Sequence, residues 1–163
     1  MIAEIIYFYP LNGFAKENMM QWFKLREENG KREVFDPVRR KYVLLTPEEE
    51  VRQIVLQQLV EDFGYPAGLL SVEFPLRLNG LDKRCDIVVF SRQLTPLMIV
   101  ECKARHIQLS QKVLDQTMRY NVTLNVKYLL LTNGQTQYSI QLEEEGKKVV
   151  FLDKIPEYNM LTV

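Results

Sequence analysis

The segment Pro96-Leu97-Met98-Ile99-Val100 is apolar at every position and breaks off into Glu101-Cys102-Lys103. A short apolar run with β-branched residues reads as a strand covered on both faces, because a strand with one wet face alternates polar and apolar residues. Cover on both faces requires a layered fold. The charged end adds a second constraint. Side chains alternate along a strand, so Glu101 and Lys103 share one face, about 6–7 Å apart. Burying either charge alone at the mouth of an apolar strand would be costly. Asp86 lies inside another apolar run, Cys85-Asp86-Ile87-Val88-Val89-Phe90, and can be brought to the same face. Two carboxylates converging beside an amine suit a hard divalent cation. The amine would orient or help deprotonate a water.

The rest of the chain reads as elements around these two runs. Val34 to Leu45 forms a short hairpin with Arg39-Arg40-Lys41 at its tip. Thr46 can cap a helix, Pro47 suits its first position and Glu48, Glu49 and Glu50 fill its first turn. Val51, Ile54, Val55, Leu59 and Phe63 give that helix an apolar stripe, and Gly64-Tyr65-Pro66 ends it. Residues 69–78 read as a strand, with Pro75 pointing to an edge or a bulge. Residues 84–90 and 96–103 follow as strands, residues 110–124 as a helix, 127–132 as an apolar strand, and 136–143 with 149–152 as a hairpin. The order implies an α/β fold with a mixed sheet flanked by helices, the 96–103 strand, helix and 127–132 strand forming a parallel crossover. Residues 1–24 are ambiguous: 5–9 suit a strand and 18–25 a short helix, with Asn12-Gly13 as a turn between them.

Asp86, then fourteen intervening residues, then Glu101-x-Lys103 resembles the Asp…(Asp/Glu)-x-Lys signature of the restriction-endonuclease-like nucleases. The flanks strengthen this: Thr46-Pro47-Glu48-Glu49-x-Val51-Arg52-Gln53, Arg84-Cys85-Asp86-Ile87-Val88, Val100-Glu101-Cys102-Lys103-Ala104, Gln116-x-x-x-Tyr120-Asn121 and Leu131-Thr132-Asn133-Gly134 occur in that order. Together they resemble the N-terminal nuclease domain of type I restriction enzyme motor subunits. The resemblance covers roughly residues 31–158. It divides the chain into an N-terminal extension of unassigned role, residues 1–30, and a nuclease domain, residues 31–163. It implies a restriction-endonuclease-like α/β/α core and a Mg²⁺-dependent DNA endonuclease, with Mn²⁺ as a substitute. It implies that Asp86, Glu101 and the backbone carbonyl of Cys102 hold the metal and that Lys103 serves the attacking water. It adds Glu49 and Gln116 to the catalytic set. The DNA-facing candidates are Arg52, Arg119 and Tyr120, and the implied partners are DNA and restriction-system or helicase subunits. The motor that follows this domain in such enzymes is not among these residues, so DNA translocation is not expected of the chain by itself.

Each residue also has a plainer reading. Asp86 could pair with Arg84 or Lys83, and Glu101 with Lys103 alone. Thr46 and Glu49 make a capping box. Arg52 could pair with Glu49 or meet a phosphate. Gln116 and Tyr120, four apart, share one helix face, where Tyr120 could be a core aromatic. Cys85, Cys102 and His106 are too few for a zinc site, and no glycine-rich phosphate loop occurs.

Net charge is zero, but residues 77–127 carry 9 basic and 4 acidic side chains while residues 1–76 carry 9 and 12. The basic surplus lies in the segment that holds the candidate site and suits a local phosphate-facing surface. No apolar stretch has the length of a membrane span. The apolar start has an acid, Glu4, where a signal peptide would be basic, which leads to the expectation of a cytoplasmic protein. No base-reading module is visible, so little sequence preference is expected. The alternative from another class is a non-catalytic DNA-binding or docking module of a restriction-like system. Oligomeric state is open.

Overall fold

Strands apolar on both sides sit at the centre of the molecule. The computed structural model describes residues 20–162. Strands β1 (Leu25–Glu28), β2 (Lys31–Asp36) and β3 (Lys41–Leu44) form an antiparallel three-stranded sheet. Helix α1 (Pro47–Gln57) follows and runs into a π-helical turn, Gln58–Asp62. Then come β4 (Leu70–Leu78), β5 (Leu81–Phe90) and β6 (Pro96–Cys102), helix α2 (Gln111–Leu124), and β7 (Tyr128–Thr132), β8 (Gln137–Glu143) and β9 (Lys148–Leu152). A short helix, α3 (Tyr158–Leu161), ends the described chain. The second sheet has the order β4-β5-β6-β7-β8-β9, with β6 and β7 its parallel neighbours on either side of α2. This is the mixed α/β fold with a parallel crossover that the sequence implies.

Alternation along the central strands feeds two cores. Ile87, Val89, Met98, Val100 and Leu130 meet Val51, Val55, Leu56 and Leu59 of the first helix and its π turn. Val88, Ile99, Leu129 and Leu131 meet Val113 and Tyr120 of α2. A fully buried side chain of this size contributes about 1.5–3 kcal/mol, so the sheet is held by cover on both faces. Cys85 and Cys102 are buried free thiols within these cores.

Local signals account for the element ends. Thr46 Oγ1 accepts the Glu49 N–H at 3.0 Å, and Pro47 stands at the first helical position. The capping box is only half made. The Thr46 N–H bonds Leu44 O at 3.1 Å, and the Glu49 carboxylate is drawn away by arginines. Pro75 lies on the edge strand β4, where its missing N–H leaves no central rung unmade. Helix α2 ends on Asn125 in the left-handed region, φ 51°, and Asn121 bonds both backbone groups of Val126 to start β7. Gly134 adopts φ +81°, and a Cβ there would stand 3.3 Å from Val51 Cγ2, so this turn packs directly on α1.

The helix expected over residues 18–25 is not present in its described part. Residues 22–23 form a turn and Leu25 opens β1, whose pairing with β2 captures it. Residues 18–19 and the strand expected over 5–9 lie outside the described residues. The β1–β2 pairing also carries the folded unit upstream of residue 31. Among the described residues no helix is long and apolar enough to cross a membrane.

Candidate functional site

Strand β5 departs from regularity at Asp86. Cys85 and Ile87, two apart, should share a face, yet they pack into opposite cores. The β4–β5 register skips the Glu73–Asp86 rung, and Glu73 has φ +54°. On the other side the β5–β6 register begins only at Ile87–Val100. In place of the next backbone rung, Asp86 Oδ2 accepts the Cys102 N–H at 2.7 Å. The strand therefore turns over at the acid and ties its carboxylate to the end of β6.

Glu101 and Lys103 lie at that same end, as their spacing implies. Glu101 Oε1 accepts from Lys103 Nζ at 2.9 Å and from Gln116 Nε2 at 3.3 Å. The Glu101 side chain is 4% exposed and its Oε2 is buried without a hydrogen-bond partner. Burial, then the charge of Asp86, push its carboxyl up to about 7 against the pull of Lys103. Burial opposes the charge on Lys103, but the bond to Glu101 and the charges of Glu101, Asp86 and Glu48 outweigh it and raise its pKa. Lys103 thus keeps its proton beside a carboxylate whose charge is costly. Burial pushes the Cys102 thiol well up, so its side chain is inert and only its backbone faces the chemistry.

Gln116 also donates to Tyr120 Oη at 2.9 Å, so the pair four apart on α2 does meet. The Tyr120 ring is 7% exposed and belongs to the α2-side core. Arg119 is exposed on α2 and does not join this cluster.

Arg52 and Glu49 are brought into the site, but as a buried ion network. Arg52 Nη2 donates to Asp86 Oδ1 at 2.7 Å and to Glu48 Oε1 at 3.3 Å, while Nη1 pairs with Glu49 Oε2. Glu49 Oε1 accepts from Arg39 and, at 2.9 Å, from Gln53 Nε2. Arg39 in turn bonds Asp36 Oδ2 at 2.5 Å and Glu73 Oε2 at 3.0 Å. Asp86 pairs with Arg52 rather than with Arg84 or Lys83, and Arg52 also pairs with Glu49, one of the two alternatives read for it from sequence. Burial opposes the charge on Arg52, yet Asp86 and Glu49 raise its pKa. Glu48 is raised too, by burial and then by Asp86. The reading from sequence missed Arg39, Gln53, Asp36 and Glu73. Of these only Arg39 had a signal, as part of the basic hairpin tip, to which no role was assigned.

These residues offer two converging carboxylates rather than three. Among the described residues no group of three or more His, Cys, Asp or Glu is disposed to hold a metal. A concavity of about 650 Å³ between the α2 end and the β8–β9 connection contains none of the site residues.

The sequence model of the family described as "Type I restriction enzyme R protein N terminus (HSDR_N)" matches residues 47–156, a span that includes Glu49, Asp86, Glu101, Lys103 and Gln116. No curated protein sequence gives a match. Among solved structures, the chain is similar to the fragment structure of a protein named as an HsdR subunit of a type I restriction enzyme from Vibrio vulnificus YJ016, with TM-score 0.54 and 17% identity, covering 72% of this chain and 25% of that one. The chain thus spans about a quarter of that structure's length, and the likeness speaks for the fold alone. A protein named as a nuclease of DUF820 from Anabaena variabilis ATCC 29413 aligns with TM-score 0.47 and 11% identity over 83% of this chain and 82% of that one, too slight a likeness to argue from. Because the family match spans more than half of its length, the chain belongs to the type I restriction enzyme R protein N-terminal family.

Proposed function

We propose that this domain is a Mg²⁺-dependent DNA endonuclease that hydrolyses phosphodiester bonds, with Mn²⁺ able to replace Mg²⁺. The observation that carries the reading is the convergence of two carboxylates: Glu101, bonded to Lys103, has a buried oxygen, Oε2, that meets no donor, and Asp86 is near enough to push its carboxyl up. A buried acceptor left unbonded costs free energy unless something fills it. The donor set fits the group: Mg²⁺ is commonly held by one or two carboxylates, with waters and substrate phosphate completing its shell. Asp86 and Glu101 would hold it, with the Cys102 carbonyl as a further oxygen. Bound there, the cation would supply charge neutralisation at the phosphoryl group and an acidified water.

The chain's own residues do the rest. Lys103, its side chain 21% exposed, reaches solvent with a retained proton and offers donors to the attacking water and to developing negative charge. Gln116 fixes Glu101 Oε1 and presents an amide to the same space. Arg119, exposed on α2, would meet backbone phosphate, a contact that fixes position without reading sequence. Association with DNA and with other restriction subunits is part of this proposal, since the chain matches the N-terminal part of an R protein.

The test is cleavage of supercoiled and linear DNA with Mg²⁺ or Mn²⁺ by wild type, Asp86→Asn and Lys103→Ala. Lys103 stands at a strand end, so its loss opens no core cavity. The expected result is a fold-preserving loss of roughly a hundred- to a thousand-fold in rate, the effect of removing one preorganised donor. Equal cleavage by wild type and Lys103→Ala would remove Lys103 from the mechanism. One observation favours a second reading, a non-catalytic DNA-binding or docking module: Asp86 already has a counter-ion in Arg52. DNA binding without cleavage by the wild type, in either metal, would select it.

A further inference from the structure

We propose that Arg52 is a positioning residue for the cation site: its guanidinium holds Asp86 while the site is empty and yields that oxygen to the cation, so that Arg52 sets how tightly the cation binds. The inference rests on the cation-dependent function proposed above and deepens it.

Asp86 has two ties of different kinds. Oδ2 accepts the Cys102 N–H at 2.7 Å, a bond from the rigid end of β6. Oδ1 accepts Arg52 Nη2 at 2.7 Å, a bond from a side chain on the neighbouring helix. The first orients the carboxylate whether or not the second is present. Releasing Oδ1 therefore leaves Asp86 aimed.

Arg52 has other partners to keep when it lets go. Its Nη2 already shares Glu48 Oε1 at 3.3 Å, and its Nη1 is paired with Glu49. Glu49 cannot follow a moving partner, because Arg39 and Gln53 hold its other oxygen. Glu49 is thus an anchor for Arg52, and the Arg39 guanidinium anchors Glu49 on Asp36 and Glu73. The Arg52 Nε is buried without a partner, so the guanidinium is gripped at its tip alone.

Charge fixes the direction of the effect. Among the described residues, Asp86 is paired with Arg52 and Glu101 with Lys103. A dication entering between the carboxylates meets repulsion from both cations. Low dielectric strengthens that repulsion for Arg52, whose side chain is only 8% exposed. Neutralising Arg52 removes repulsion and a competitor for Oδ1 while the Cys102 N–H preserves orientation. A merely structural arginine would do the opposite, since its loss would loosen Asp86 and weaken the site.

The experiment is calorimetric Mn²⁺ titration of metal-free wild type, Asp86→Asn, Arg52→Lys and Arg52→Gln, with thermal melting of the same samples in chelator. Arg52→Gln is expected to melt lower but bind Mn²⁺ about tenfold tighter or more, a change of about 1.4 kcal/mol. Arg52→Lys, which keeps the charge, should stay near wild type. If Arg52→Gln does not fold, Glu49→Gln/Arg52→Gln removes one buried charge of each sign and carries the same expectation of tighter binding. Unchanged or weaker Mn²⁺ binding in the neutral variant, with binding lost in Asp86→Asn, overturns the role of Arg52 alone. Absence of Mn²⁺ binding in wild type and every variant overturns the cation reading and this inference together.

Discussion

Replacing Glu101 by glutamine is expected to stabilise the metal-free protein above neutral pH, although Glu101 belongs to the proposed site. Glu101 is buried and faces Asp86, and its carboxyl is pushed from 4.5 up to about 7. A folded-state pKa above the unfolded value means that the native state binds the proton more tightly. The stability linked to that proton is present below about pH 4.5 and is lost as pH rises through about 7. At about 1.4 kcal/mol per pH unit, the loss complete by pH 8 is about 3 kcal/mol. The substituted glutamine carries no titrating proton and resembles the protonated acid in shape. Wild type and Glu101→Gln should therefore be nearly equal near pH 4.5 and diverge to about 3 kcal/mol in favour of the variant at pH 8. For a domain of this size that is roughly 6–12 °C in Tm. The assay is thermal and urea unfolding of both proteins in chelator at half-unit pH steps from about 4.5 to about 8.5, a range that brackets the shift. Their difference cancels the other titrating groups common to both. Saturating Mn²⁺ at pH 8 should narrow or reverse the gap, because a ligand bound only by the native wild type stabilises it. Parallel stability curves over the whole range would refute the reasoning, since Glu101 would then ionise with no penalty and the convergence with Asp86 would have no energetic content.

Arg39→Met should destabilise the fold by about 3–5 kcal/mol in urea unfolding, because it leaves Glu49 and Asp36 buried with a lost partner; a loss below about 1 kcal/mol would show the network to be dispensable. Arg119→Ala should weaken DNA binding alike on unrelated sequences and reduce the salt slope by about one, measured by fluorescence anisotropy over a salt series. A sequence-selective loss would contradict phosphate contact. Gly134→Ala should cost about 1–3 kcal/mol, since φ +81° disfavours any Cβ and this one would press on Val51. An unchanged denaturation midpoint would mean that the turn relaxes freely.

The sequence by itself determined most of the elements after residue 31 and one half of the site. Thr46 and Pro47 start α1, and apolar runs place β5, β6 and β7, because these signals act over a few residues and need no distant partner. The Glu101 and Lys103 pairing follows from a two-residue strand period, and the Gln116 and Tyr120 contact from helical spacing. Pro75 announces an edge or a bulge because a missing N–H is a property of one residue, and its strand is an edge strand.

Tertiary structure alone decided which charges far apart in sequence met. Arg39, Glu49, Arg52 and Asp86 come from a hairpin turn, a helix and a strand, with Arg52 and Asp86 34 positions apart. No role was read from the basic tip of the hairpin, and Arg39 turns inward because Asp36, Glu49 and Glu73 surround it. Glu49 leaves its capping box half made because two guanidiniums outcompete one backbone N–H. Residues near 22–25 become turn and strand rather than helix because an adjacent hairpin offers an open edge. The reversal of β5 at Asp86 has the same origin. A carboxylate in an apolar strand must find donors, and only the assembled sheet and helix place the Cys102 N–H and Arg52 within its reach.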